Sequence, residues 1–131
     1  MKKIIVFCSF LFLLNSCASA QKDSTVINQK LDTKATKEIV LVKVINDSRC
    51  PEGVQCIWAG EITFEVAAYE NKRLVEQKQF TINPGSNEEV KSWFVKHLPA
   101  TDKELKGLDI QPYPKDGAQH KAEDYVIHLV Y

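Results

Sequence analysis

Two cysteines, Cys50 and Cys56, stand with five residues between them within Asp47-Ser-Arg-Cys-Pro-Glu-Gly-Val-Gln-Cys-Ile-Trp-Ala-Gly-Glu61, and no other stretch constrains the fold as tightly. Pro51 follows the first cysteine, Gly53 lies inside the loop, and Trp58 comes two residues after the second. A cysteine-bounded loop with both turn formers, followed at once by a large aromatic, describes a closed staple beside an apolar anchor. Pro51, Trp58 and Gly60 are therefore read as the structural core of the motif. The expectation for Trp58 is that its indole packs over the sulfurs and fills space between two sheets.

The chain has four cysteines, and their surroundings divide them. Lys2 and Lys3 precede an apolar run from Ile4 to Leu14 that holds Cys8. Spanning a bilayer takes about 20 residues, so this run reads as the hydrophobic region of a signal peptide. Leu14-Asn15-Ser16-Cys17 has the form of a lipobox, with Cys17 as the lipidated residue after removal of 1–16; Ala18-Ser19-Ala20 offers the alternative of cleavage after residue 20. Acyl chains on Cys17 would anchor the protein stably in a membrane. Cys50 and Cys56 are then left for each other. Outside the cytoplasm disulfides form and persist, so a structural Cys50–Cys56 bridge is expected.

Other cysteine chemistry fits poorly. A redox pair favours C-x-x-C at a helix N-terminus, which lowers a thiol pKa, and this loop provides no such activation. A metal site would have to recruit His97, His120 or His128, no two of which have ligand spacing. No cofactor is expected.

Removal of 1–16 leaves 15 basic against 17 acidic side chains, a formal charge of −2 on 115 residues. That balance disfavours a nucleic-acid partner, and the length suits one domain. From 17 to 37 the chain is rich in Ser, Thr, Gln, Lys and Asp and reads as a flexible tether, within which Val26 to Leu31 has the makings of a short edge strand. The domain proper is expected over 38–131.

Within it, period two dominates. Ile39 to Ile45 reads as a central strand because both of its faces are largely apolar. Ile62 to Tyr69 alternates, with Ile62, Phe64, Val66 and Ala68 on the inward face. Glu70-Asn71-Lys72 then turns the chain into a return strand ending at Ile82. Val90 to Leu98 is expected as a strand, although Val90, Phe94 and Leu98 also have helical spacing. Leu105 to Gln111 is a short strand interrupted by Gly107, Pro112-Tyr113-Pro114 leaves the sheet, and Tyr125 to Tyr131 closes the chain well inside one. Together these predict an all-β, immunoglobulin-like antiparallel sandwich, with a β-barrel as the alternative.

Asp47-Ser-Arg-Cys-Pro51 with Val54, Cys56 and Trp58-Ala-Gly60, followed by Pro112-Tyr-Pro114 and a terminal Tyr-Val-Ile strand, resembles a family of small uncharacterised exported bacterial proteins with this signature. The resemblance covers about residues 38 to 131. It implies an exported β-domain and lends no catalytic residue. The chain departs from that pattern in lacking an apolar strand ahead of Ile39.

Catalytic signatures are thin. There is no G-x-S-x-G, no H-E-x-x-H and no glycine-rich phosphate loop, and Glu88-Glu89 and Glu123-Asp124 read as solvated turns. His128 alternates with Val126 and Val130, as a residue of the sheet does. Asp47, Arg49 and Glu61 flank the staple as a candidate binding loop, with Arg49 set to pair across its base with Glu61 or locally with Asp47. The resulting expectation is a non-catalytic, lipid-anchored module of the bacterial envelope, on the outer membrane or the periplasmic face. It would contact a protein, peptide or glycan through the staple, Asn83 to Asn87 and Pro112 to Gly117. A soluble periplasmic or secreted protein is the alternative location. The alternative activity is inhibition of a protease through Arg49-Cys50-Pro51.

Overall fold

The computed structural model describes residues 25–85 and 87–131; the segment expected to be a signal peptide, Cys17 and the alternative Ala18-Ser19-Ala20 site lie outside them. The elements run β1 (Val26–Ile27), β2 (Lys37–Asp47), β3 (Ile62–Glu70), β4 (Arg73–Ile82), α1 (Glu88–His97), β5 (Gly107–Gln111), a 3-10 turn (Ala122–Asp124) and β6 (Val126–Val130). The protein is all-β, with two three-stranded antiparallel sheets of order β1-β6-β5 and β2-β3-β4.

The alternation in β3 places side chains as its sequence dictates. Ile62, Phe64, Val66 and Ala68 enter a core shared with Ile27, Ile110, Ile127 and Leu129 of the other sheet. The turn into β4 uses Asn71 and Lys72 at φ +48° and +65°, the left-handed pair that matches the twist of a two-residue hairpin. As the terminal strand predicts, β6 is central, flanked by β1 and β5.

Strand β2 departs from its prediction as a central strand and lies at a sheet edge. Its apolar content on both faces has a local cause. Register shifts between Leu41 and Lys43 and between Val44 and Asn46 are bulges, which put adjacent residues on one face. Ile39 and Leu41 therefore face the core and Val44 packs against it, while Val42 and Ile45 are exposed.

The segment from Val90 is a helix and not a strand. Val90, Trp93, Phe94 and His97 are its buried residues, the i, i+3, i+4, i+7 stripe of an amphipathic helix. Glu88 and Glu89 lie in its first turn and Lys96 and His97 in its last, both favourable to the helix dipole. Pro99 disfavours a helical Leu98, which is extended at φ −72°, ψ 155°. Trp93 meets Phe80 and Phe94 edge-on at 5.6 and 5.5 Å, so this indole supplies the core aromatic that the sequence assigned to Trp58.

The tether expected over 17–37 gives way to ordered chain in its described part. Ile27 is buried, Leu129 N–H donates to the Thr25 carbonyl at 2.7 Å, and Leu41 N–H donates to that of Asn28 at 3.0 Å. Polar side chains complete this docking: the Gln29 amide donates to the Ala122 and Tyr125 carbonyls, and Glu38 Oε2 accepts from Asp32 N–H. Low apolar content therefore did not prevent order here, because hydrogen bonds to the domain replace burial.

Candidate functional site

The staple is the loop between β2 and β3, and its arms prolong their ladder. Ser48 N–H donates to the Glu61 carbonyl and Cys50 N–H to the Ala59 carbonyl, each at 2.9 Å. Cys50 and Cys56 form the expected disulfide, with their Cα atoms 5.9 Å apart. Val54 N–H closes a turn onto the Pro51 carbonyl, with Gly53 at φ +78° in the third position, as a type II turn requires. Gly60 has φ +73°, and a Cβ there would run into the Ser48 carbonyl and lie 2.8 Å from Arg49 Cα. Only glycine lets the two arms close.

Arg49 turns inward from this loop. Its Nε and Nη2 form a forked pair with Asp47 at 2.8 and 2.7 Å, Nη1 donates to the Ile110 carbonyl at 2.7 Å, and Nη2 also reaches that of Pro112 at 3.1 Å. The guanidinium lies 4.6 Å from the centre of the Tyr113 ring. The side chains of Arg49 and Asp47 are only 10% and 8% exposed, so the pair is stronger than a surface ion pair. Tyr125 Oη donates to the second Asp47 oxygen at 3.1 Å. Burial pushes the Asp47 carboxyl up, but the hydrogen bonds and charge of Arg49, with the Tyr125 contact, outweigh it and hold the carboxyl below its ordinary value. Burial and the Asp47 charge raise the Tyr125 hydroxyl.

The structure thus joins Asp47 and Arg49 as one of the two anticipated pairings and brings in Tyr113, Tyr125 and two carbonyls that the sequence did not point to. Pairing of Arg49 with Glu61 is replaced: the Glu61 main chain meets Ser48, and the guanidinium is used elsewhere. Asp47 and Arg49 are accordingly a buried clasp and not a contact loop. Substrate mimicry by Arg49-Cys50-Pro51 would require an outward Arg49, which this geometry denies. Beyond the clasp, Glu52 N–H donates to the Pro114 carbonyl at 2.9 Å, so the Pro112-Tyr113-Pro114 exit packs against the staple.

Trp58 does not occupy the core. It is 63% exposed, and its neighbour Ile57 is fully exposed. With the core aromatic supplied by Trp93 and the clasp by Arg49, the loop has no inward place for it. Ile57 and Trp58, which follow Cys56 just outside the disulfide ring, are instead the exposed apolar tip of the β2–β3 loop, with Val54 partly exposed inside the ring.

Behind the tip, a cleft of about 190 Å³ runs between the staple base and β5, lined among others by Arg49, Ile62, Ile82, Asn87, Leu108 and Tyr113. Small-molecule sites typically occupy about 300–1,000 Å³, so this space suits a side chain or two. A scan against protein-family models finds no match to the chain, and searches of curated proteins and of solved structures find no significant match.

Proposed function

We propose that the protein is a non-catalytic binding module of the bacterial cell envelope, exported by its N-terminal signal and held to a membrane through lipidated Cys17, with the staple as its contact surface. The observation that carries this reading is the exposure of Ile57 and Trp58 directly after the disulfide ring, on a loop whose base is clasped by Arg49. An exposed aromatic on a braced loop loses less conformational freedom on contact than one on a free segment, and such residues anchor interfaces. Topology supports the orientation. The staple base is tied to β5 residues that pair with the Val126 end of β6, whereas Thr25 meets Leu129 near the other end of that strand. The chain thus leaves for its anchor at one end of β6 and the tip stands beyond the other. Protease inhibition draws no support from this arrangement, because Arg49 is spent inside.

The test has two arms. Intact-mass spectrometry of membrane-fraction protein should give a chain that begins at acylated Cys17, and Cys17→Ser should release it; a soluble chain that begins at Gln21 would overturn the anchor. A photo-crosslinking residue at position 57 should give a discrete adduct in intact cells, absent from the same probe at position 102. Equal, diffuse labelling at both positions would overturn the contact surface.

A further inference from the structure

Among the described residues, strand β5 has one paired edge and one open one. Leu129 N–H points to Thr25, the residue just ahead of β1, so by the alternation of an antiparallel ladder His128 and Val130 direct their main-chain groups to β5, where they face Asp109 and Gly107. Leu108 and Ile110 must then direct theirs away from β6. The Arg49 contact agrees, since its guanidinium reaches the carbonyls of Ile110 and Pro112 from that outer side. Arg49 therefore blocks the far half of the edge. Leu108 N–H, Leu108 C=O and Ile110 N–H remain without a partner among the described residues and border the cleft.

Two further features bear on what fits there. Asn87 lines the cleft, and its Oδ1 is buried with no hydrogen-bond partner among the described residues, an acceptor lacking a donor. The lining charges are Arg49, already neutralised by Asp47, and Asp109, which is exposed and, among the described residues, accepts a hydrogen bond from the neutral Gln111 amide. The unbalanced sign is negative.

Building on the binding-module reading, we infer that the open β5 edge takes up a short extended segment of a partner protein by strand addition, with a basic side chain flanked by two apolar ones. Residues opposite Leu108 and Ile110 would turn their side chains inward over Ile62 and Ile82, and the residue between them would lie across from Asp109, where an opposite charge is favourable. The segment ends where Arg49 begins. The small cleft and the donor-seeking Asn87 Oδ1 both suit a peptide better than a flat apolar ligand.

The test pans a phage library of random seven-residue peptides on the full chain and measures binding of a synthetic peptide made from the consensus. The consensus should alternate apolar, Lys or Arg, apolar, and the peptide should slow hydrogen exchange at Leu108 and Ile110. N-methylation of the peptide amide opposite Leu108 C=O should weaken binding at least about tenfold, as expected when a main-chain hydrogen bond is lost and its acceptor left unmet. Leu108→Pro should do the same, and Asp109→Asn should remove the basic preference. The N-methylated peptide leaves the protein unaltered, so the result holds even if Leu108→Pro fails to fold. Protection at Ile57 and Trp58 in place of β5, with N-methylation harmless, would overturn strand addition while leaving the binding module intact. Concentration-dependent protection of Leu108 without peptide would assign the edge to a second copy and overturn it too. Recovery of no consensus peptide, together with absent crosslinks at position 57, would defeat both readings.

Discussion

Two charged knots hold loops or elements to this domain, and they differ in what their charges touch. At the staple, Arg49 binds a nearly buried carboxylate and two main-chain carbonyls that lie more than sixty residues away in sequence. At the corner where α1 meets β4, Glu76 Oε2 accepts from Lys96 Nζ at 3.0 Å and lies 2.9 Å from Nε2 of buried His97, with Lys78 and Glu89 paired alongside at 2.7 Å. The second knot joins side chains to side chains at a wetter surface, over a helix already fixed by Val90, Trp93 and Phe94. The first performs the attachment itself, since the staple tip offers no buried apolar anchor of its own. The lesson is that a similar ion pair is structural where apolar packing is missing and supplementary where it is present.

The largest expected effect follows directly. Arg49→Ala leaves the Asp47 carboxylate buried and unpaired and should cost about 3–5 kcal/mol in denaturant unfolding, whereas Arg49→Ala combined with Asp47→Asn should recover part of it. A loss no greater than that of Lys96→Ala would erase the distinction between the knots. Gly60→Ala, which forces the two arms apart, should come next at on the order of 2–3 kcal/mol, read from the same unfolding curves. Replacing Cys50 and Cys56 together by Ser opens a small ring and should cost about 2 kcal/mol in the chain-entropy model, matched by adding reductant to the unaltered chain.

Acid sharpens the contrast at smaller amplitude. The Trp93 indole N–H, directed at Glu76 without closing a full hydrogen bond, together with Lys96 and His97, holds the Glu76 carboxyl down from 4.5 to about 2. Because the folded value is depressed, its stabilisation is complete above 4.5 and disappears as pH falls toward about 2. The Asp47 contribution follows the same sign, complete above the ordinary value of 3.8 and lost as pH falls through the lower folded one. Glu76→Gln should therefore flatten part of the acid limb of a melting-temperature profile by lowering the plateau at neutral pH, and leave stability near pH 2 little changed. A steeper acid limb in that variant would show that Glu76 does not favour the folded state.

Much of this architecture was legible in the residues. The disulfide, the β3–β4 hairpin and the central β6 follow from spacing, turn chemistry and alternation, all local properties. The helix was half legible: Val90 and Phe94 have helical spacing, but Trp93, Phe94 and Val95 have strand-like side chains, and only tertiary burial of Trp93 and His97 decides between them. Strand β2 misled because two bulges put apolar residues on both faces of an edge strand. Arg49 was visible as a neighbour of Asp47, yet its carbonyl partners near residue 110 are a product of topology that no local pattern encodes. Trp58 shows the same limit: a tryptophan beside a cysteine reads as core until another tryptophan is found to fill it.

The most direct test of the account is the environment of that indole, since an exposed, clasped staple tip is its central claim. Acrylamide quenching should be compared between the unaltered chain and Trp58→Phe, which leaves Trp93 as the remaining tryptophan. The variant should lose the red-shifted, readily quenched emission and retain a blue-shifted, shielded one. Loss of the shielded emission instead would place Trp58 inside and contradict the account.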